Sequence, residues 1–150
     1  MREPIRIEPM TEADLAEVMA IEETSFSLPW TEEDFRAMLA LPRNVVLIAR
    51  TGEGVLCGYV CYMSVMEIGD IMNVAVHPDY RRQSIGRQLM QTAHRDASGH
   101  GVETMMLEVR ESNLPARRLY AELGYEEISV RKNYYRKPLE NAVIMRIFLG

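Results

Sequence analysis

The stretch from Ile71 to Ala97 constrains the fold most, because it has the pattern of a strand, a tight loop and a helix in immediate succession. Residues 71–76 are apolar and rich in β-branched side chains, which is typical of a buried strand. Pro78 ends that strand, since proline cannot donate to a sheet ladder. Four apolar residues then recur at helical spacing and predict a helix: Ile85, Leu89, Ala93 and Ala97.

The loop between this strand and this helix is predicted to bind an anion. A helix that begins just after a strand directs unpaired backbone N–H groups and the positive end of its dipole toward the strand's carboxyl edge. Arg81, Arg82 and Arg87 add guanidinium groups at the same place. We therefore expect a phosphate or pyrophosphate ligand. The alternative is an arginine-rich helix start that is merely solvated.

Neither common phosphate-loop pattern, Gly-x-x-x-x-Gly-Lys-Ser/Thr or Gly-x-Gly-x-x-Gly, occurs in the chain. Arg81-x-x-Ser84-x-Gly86 remains. It resembles the Gln/Arg-x-x-Gly-x-Gly/Ala loop with which the GCN5-related N-acetyltransferases hold the pyrophosphate of acetyl-coenzyme A. Ser84 stands where that family usually has glycine. We expect a right-handed φ at Ser84, because a left-handed one costs a residue with a Cβ roughly 1–2 kcal/mol.

Alternating helix and strand patterns predict one α/β domain over residues 1–150. The connection from residues 71–76 through a helix to residues 104–109 implies a parallel pair of strands. The family resemblance implies the rest of the fold: a single mixed, mostly antiparallel central sheet with that pair at its middle and helices on both faces.

Composition excludes several classes of protein. The hydrophobic content of 47% and charged content of 26% are ordinary for a soluble globular chain, and residues 55–66, the longest apolar stretch, are too short to span a bilayer. Without a signal-peptide pattern, and with a net charge of −5, we expect a cytoplasmic protein that binds neither membrane nor nucleic acid directly. Cys57 and Cys61 are predicted to be buried thiols on one strand face, about 13 Å apart and too far for a disulfide.

Charge is divided unevenly along the chain. Residues 1–40 carry ten acidic and three basic side chains, whereas residues 81–150 carry eight acidic and twelve basic ones. One interpretation is that these are solvated helix faces. The other is that the early half meets a cationic partner and the later half a polyanionic cofactor.

The carboxyl edge of the predicted parallel pair is the candidate site, because ligands bind beyond that edge in such sheets. Val76, the loop at residues 81–86, Glu108 and Tyr120 are expected to converge there. Taken alone, Glu108 has an alternative as an edge carboxylate in an ion pair, and Tyr120 as a core tyrosine.

Four segments extend the resemblance over nearly the whole chain: residues 26–30, 107–113, 119–125 and 131–135. They resemble the bacterial members of the family that acetylate the N-terminal alanine of small-subunit ribosomal protein S18. The resemblance implies acetyl-coenzyme A as cosubstrate and the N-terminus of an S18-like ribosomal protein as partner. We expect no metal, because His77, His94 and His100 lack ligand spacing, and a monomer or weak dimer.

The same resemblance implies roles for individual residues. Glu108 is the general base and Tyr120 the general acid, a pair that suits an amine that must lose a proton and a thiolate that must gain one. The implied cofactor-binding residues are Val74, Ala75, Val76, Arg81, Arg82, Gln83, Ser84, Ile85, Gly86, Arg87 and Asn113. The predicted acceptor-binding residues are Phe26, Pro29, Trp30, Asn133, Tyr134 and Tyr135, with ordinary packing as the alternative for these six.

Two rivals remain at this stage. An α-amine has a pKa near 7.7–8.0, so presenting its neutral form at pH 7 costs about 1 kcal/mol. A lysine amine has a pKa near 10.4, so the same step costs about 4–5 kcal/mol. This difference favours an N-terminal acceptor without excluding an acetyltransferase for lysine side chains or small amines. A non-catalytic acetyl-coenzyme A sensor is the rival outside enzymes.

No serine, cysteine or histidine is arranged as a nucleophile with its base, which favours direct transfer over an acyl-enzyme.

Overall fold

The computed structural model describes residues 4–81 and 83–150, so Arg82 lies outside the described residues. Its seven strands are β1 (Ile5–Pro9), β2 (Asn44–Thr51), β3 (Leu56–Val65), β4 (Ile68–Val76), β5 (Thr104–Arg110), β6 (Glu126–Tyr135) and β7 (Glu140–Phe148). Its four α-helices are α1 (Leu15–Ser25), α2 (Glu32–Leu39), α3 (Ile85–Gly99) and α4 (Leu114–Leu123). Short 3-10 turns at Glu12–Asp14 and Pro78–Tyr80 precede α1 and α3.

The strands form one sheet in the order β1-β2-β3-β4-β5-β7-β6. Neighbours are antiparallel except β4 and β5, which are parallel and joined through α3. The expected fold class is therefore confirmed. The edge strand β6 has mostly exposed side chains, so its sequence carries little apolar pattern.

Local capping fixes where the helices begin. The Thr31 hydroxyl accepts a bond from the Asp34 N–H at 3.2 Å, and the Asp34 carboxylate accepts one from the Thr31 N–H at 2.8 Å. The side chain of Asn113 caps α4 by accepting a bond from the Ala116 N–H at 3.2 Å. Within residues 4–81 and 83–150, no helix has the length and apolarity needed to cross a membrane.

The sheet has a hydrophobic cluster on each face. α3 and α4 pack on one face, and the four residues predicted to carry the buried stripe of α3 are all buried there. α1 and α2 cover the other face through residues such as Val18 and Phe35, both 0% exposed. Central strand β3 is buried on both sides over residues 56–62, which explains why its sequence is apolar without alternation.

The prediction that Cys57 and Cys61 share a face is wrong. Cys57 packs in the cluster beneath α3, whereas Cys61 packs in the cluster beneath α1 and α2. The reason is a β-bulge: Ala49 pairs with Gly58 while the next residue of β2 pairs with Leu56, so Cys57 is an extra residue in β3. An extra residue reverses the alternation of faces beyond it. Both cysteines are buried, as expected, and they are not joined by a disulfide.

The parallel pair opens partway along its length. β4 and β5 are paired from Ile68–Ile71 and Thr104–Leu107. Beyond those residues β4 continues against β3 and β5 continues against β7, with no pairing between them in the described chain. A second bulge, at Met72, falls at the point of separation, since Tyr62 pairs with Ile71 and Cys61 with Asn73. The sheet is therefore split at its middle.

Candidate active site

A cleft of about 480 Å³ occupies the gap between the separated strands, and we call it the central cleft. Residues 71–74 of β4 form one wall and residues 107–110 of β5 form the other. The loop that follows α1 and the hairpin between β6 and β7 contribute the remaining sides. The cleft thus lies beyond the paired part of the parallel strands, where the sequence predicted a site.

Tyr120 lines the central cleft from α4 and is only 7% exposed. Asn113 caps the start of α4 and Gly124 ends it with a φ of 110°, so the helix that carries this phenol is fixed at both ends. Burial raises the pKa of Tyr120 to about 12, because the phenolate would lose its hydration. The phenol therefore stays protonated at neutral pH and is available as a donor.

Glu108 lines the same cleft from the unpaired half of β5 and is half-buried. Burial and the neighbouring Asp70 carboxylate raise its pKa, while the Arg131 guanidinium acts in the opposite direction. Asp70 pairs with Met106, two residues before Glu108, so alternation puts both carboxylates on one face of the sheet. A carboxylate with a raised pKa is a stronger base than an exposed one.

A second cleft of about 360 Å³, the loop cleft, lies at the start of α3. It is bounded by Arg81, by residues 84–87 and by Val76 at the end of β4. Ser84 precedes the helix without capping it through its side chain, and the first helical bond runs from the Gln88 N–H to the Ser84 carbonyl. The N–H groups of the first turn are therefore left for a ligand or water.

Gly58 of β3 lets the start of α3 lie close to the sheet. A Cβ at this glycine would come within 3.1 Å of Leu89 Cδ1, 3.3 Å of Ile85 Cγ2 and 3.0 Å of the Ala75 carbonyl oxygen. The close approach puts the loop cleft at the end of β4, next to the central cleft.

The expectation of a right-handed backbone at Ser84 is wrong. Ser84 has φ 62° and ψ 20°, which is the left-handed region. The chain turns there from the short Pro78–Tyr80 segment into α3, and this turn has a conformation that glycine adopts without penalty. Ser84 keeps that geometry at a cost of roughly 1–2 kcal/mol.

Most of the predicted site residues line one of the two clefts. Those in the central cleft are Phe26, Trp30, Val74, Glu108, Asn113, Tyr120, Tyr134 and Tyr135. Those in the loop cleft are Val76, Arg81, Ser84, Ile85, Gly86 and Arg87. Among the described residues, four line neither cleft: Pro29, Ala75, Gln83 and Asn133.

Three of these four residues have a local feature that explains why they line neither cleft. The Ala75 side chain is buried beneath α1 and α2. Asn133 has a left-handed φ of 55° at an irregularity of β6, and its N–H donates to the Asn141 side chain at 3.0 Å. Pro29 is exposed on its loop. Nothing in the contacts of Gln83 ties it to either cleft.

The segment of residues 26–30, between α1 and α2, both lines the central cleft and packs against the core. The Trp30 ring lies 5.1 Å from the Phe35 ring, centroid to centroid. On the opposite side, the Arg110 guanidinium lies 4.5 Å from the centre of the Tyr135 ring. Trp30 therefore lines the cleft and also packs against a neighbouring core residue.

The early acidic residues are mostly engaged away from the clefts. Arg36 pairs with Glu12, and Arg50 pairs with Asp14 at 2.5 Å and with Glu17 at 3.0 Å. In the described part of residues 1–40, the one acid that lines the central cleft is Glu22. These contacts support the interpretation as solvated and locally paired helix faces. In the later half, Arg87 of the loop cleft pairs with Glu122 at 2.6 Å.

Sequence reasoning missed three polar residues of the central region: Glu22, Asn73 and Asp70. Glu22 follows Leu15 and Val18 at helical spacing, and it is buried with them. An acid on the apolar stripe of a helix is the signal that marks it, since such a group is buried only with partners. Asn73 and Asp70 carry no comparable signal, because their positions depend on how β4 meets its neighbours.

The structure thus combines a sheet split at its parallel pair with a helix that begins beside the gap. The Acetyltransferase (GNAT) family matches residues 15–125, and the chain belongs to this family.

Individual relatives match over nearly the whole chain. A relative from Bacillus subtilis (strain 168) is 36% identical over 138 residues, which is 91% of each chain. The ribosomal protein bS18-alanine N-acetyltransferase of Escherichia coli (strain K12) is 33% identical over 136 residues, 89% of this chain and 90% of the relative. The crystal structure of the ribosomal-protein-S18-alanine N-acetyltransferase from Escherichia coli matches with a TM-score of 0.91 and 31% identity, covering 98% of this chain and 95% of that one.

The left-handed backbone of Ser84 predicts that Ser84→Gly stabilises the protein. The substitution removes a penalty of roughly 1–2 kcal/mol, and the added freedom of the unfolded chain returns part of it, so the free energy of unfolding should rise by about 0.5–1 kcal/mol. Urea unfolding measures the change, with Ser84→Ala as the control that keeps the Cβ. A glycine variant less stable than the alanine variant would contradict the assignment. The dissociation constant of acetyl-coenzyme A should change by less than about tenfold, because the backbone N–H is retained.

The proximity of Asp70 predicts that Asp70→Asn lowers the pKa of Glu108. An anion on the same face disfavours ionisation of Glu108, so removing that charge makes the proton easier to lose. Titration of the Glu108 carboxyl carbon by NMR measures the shift directly. Asp79→Asn is the matched control, since the Asp79 side chain is 83% exposed. An unchanged or raised pKa in the Asp70 variant would show that the two carboxylates do not interact.

Proposed function

We propose that the protein transfers the acetyl group of acetyl-coenzyme A to the N-terminal α-amine of a protein, and that its acceptor is the N-terminal alanine of ribosomal protein S18. The observation that carries the reaction is that a buried phenol, Tyr120, and a half-buried carboxylate, Glu108, line the same cleft. The acceptor is supported by the Escherichia coli relative that is named for this activity and matches most of the chain.

The pair of clefts supports acetyl-coenzyme A as the acetyl donor. Val74 lines the central cleft and Val76 lines the loop cleft, so β4 runs from one to the other. The start of α3 offers unpaired N–H groups and Arg81 a positive charge, both suited to a pyrophosphate. With the pyrophosphate in the loop cleft, a ligand extended along β4 presents its thioester in the central cleft.

Glu108 is the general base in this proposal. An α-amine is largely protonated at pH 7 and must lose a proton before it can attack a carbonyl carbon. The carboxylate of Glu108 takes that proton directly or through a water, and its raised pKa strengthens it for this task. The neutral amine then forms the C–N bond with the acetyl carbon.

Tyr120 is the general acid. As the C–N bond forms, the C–S bond of the thioester breaks and its electron pair goes to sulfur. The phenol gives its proton to that sulfur, which leaves as a thiol. The protonated amine loses two protons on becoming an amide. Glu108 takes the first before the attack, and the second leaves the nitrogen once the C–N bond has formed and restores the Tyr120 phenol through solvent. The sulfur gains one proton from Tyr120 and Glu108 releases one to solvent, so the protons balance.

The proposed roles predict that Glu108→Gln and Tyr120→Phe each lower kcat by roughly 10²–10⁴-fold, the usual loss when a general acid or base is removed. The dissociation constant of acetyl-coenzyme A should change little, because neither side chain lies in the loop cleft. Steady-state kinetics with a peptide that begins with the N-terminal alanine of S18 measure the effect. Glu111→Gln, at an exposed glutamate just past β5, is the control. Wild-type turnover by both variants, with chemistry rate-limiting, would refute the assignment.

A further inference from the structure

Glu22 is a buried carboxylate with no part in the proposed proton transfers. It lies in the last turns of α1, is 1% exposed, and lines the central cleft. A charged group this deeply buried is tolerated only when its oxygens are hydrogen-bonded, because its hydration has been lost. Its partners therefore show what the carboxylate does.

Three donors from three different elements converge on Glu22. Oε1 accepts bonds from the Tyr59 hydroxyl of β3 and from Asn73 Nδ2 of β4, the latter at 3.0 Å. Oε2 accepts a bond from the backbone N–H of Trp30 at 2.9 Å. Both oxygens are engaged, so the carboxylate holds neighbouring groups in place.

The bond to Trp30 fixes the segment of residues 26–30, which we call the acceptor loop. This segment joins α1 to α2 and forms one side of the central cleft through Phe26, Leu28 and Trp30. Its middle has little burial to order it, since Leu28 is 54% exposed and its neighbours Ser27 and Pro29 are also exposed. A charge-assisted hydrogen bond at its far end compensates for that lack of packing.

The bond to Asn73 connects the same carboxylate to β4, along which the acetyl donor extends in the proposed function. Asn73 follows the bulge at Met72 and directly precedes Val74, in the part of β4 that has separated from β5. Glu22 therefore joins the acceptor loop and β4 through one side chain. The carboxylate thus ties the acceptor loop to one wall of the central cleft.

We infer that Glu22 is a positioning residue that holds the acceptor loop against β4, so that the first residues of the acceptor peptide bind in register with the acetyl donor. The inference rests on the proposed function. Glu22→Gln tests it, because an amide has one acceptor oxygen and an NH₂ group that would face donors. No orientation of that amide serves the Trp30 N–H, Asn73 and Tyr59 together.

Glu22→Gln should raise the KM for a peptide beginning with alanine by about tenfold or more, the scale of losing a hydrogen bond to a charged group. The KM for acetyl-coenzyme A should stay within about twofold of wild type, because the loop cleft is unaltered, and kcat should fall less than the peptide KM rises. Glu23→Gln is the matched control, since Glu23 is the next residue on α1 and is exposed. It should behave as wild type.

A second measurement needs no activity. Trp30 is the single tryptophan of the chain, so intrinsic fluorescence reports on the acceptor loop alone. In Glu22→Gln the emission should shift to longer wavelength and acrylamide should quench it more strongly, whereas Glu23→Gln should leave both unchanged. If wild-type protein acetylates no alanine peptide, the proposed function fails, while the fluorescence still decides whether Glu22 anchors the loop.

The inference is overturned if folded Glu22→Gln protein keeps the wild-type peptide KM and Trp30 fluorescence. It is also overturned if the KM values for both substrates rise equally, since that pattern indicates a general loss of structure. Should Glu22→Gln fail to fold, Asn73→Ala decides, because it keeps the carboxylate and removes only the bond to β4. That variant should raise the peptide KM with little change for acetyl-coenzyme A, and an unchanged peptide KM would overturn the inference.

Discussion

The rest of the structure depends on the separation of β4 and β5 beyond Ile71 and Leu107. Two strands that part inside a sheet leave backbone groups unpaired and expose side chains that would otherwise be covered, which is costly unless a ligand or water takes their place. The bulge at Met72 sits at the branch point, and the central cleft fills the gap. Residues from α1, α4, the loop after α1 and the hairpin between β6 and β7 come together because each of these elements borders this opening.

Burial gives the polar groups around that opening their properties. It keeps Tyr120 protonated and, with the Asp70 carboxylate nearby, raises the pKa of Glu108. In the proposed mechanism, these two side chains of one cleft supply the acid and the base. Glu22 lies in the same region, but its oxygens are already occupied by three donors. The hydrogen-bond partners of Glu22 therefore support a positioning role for it, in contrast to the proton-transfer roles proposed for Glu108 and Tyr120.

Local patterns in the sequence were enough to predict the helix from Ile85 and the parallel pair, because the helix depends on neighbouring residues and the pair on the handedness of a crossover. The loop pattern predicted an anion site, which stays a prediction, but it did not predict the φ of Ser84, which the turn into α3 imposes. A bulge moved Cys57 to the other face, and bulges leave no periodic signal. The contacts of Asn73, Asp70 and Glu22 arise only when distant elements pack together.

The central cleft is proposed to deliver acetyl groups to α-amines by direct transfer. The most direct measurement is incubation with labelled acetyl-coenzyme A and an S18 N-terminal peptide that also contains a lysine, followed by fragmentation mass spectrometry to locate the label. The account predicts label on the α-amine of the alanine, in amounts that fall sharply for Glu108→Gln. Label on the lysine, or none on the peptide while acetyl-coenzyme A still binds, would contradict it.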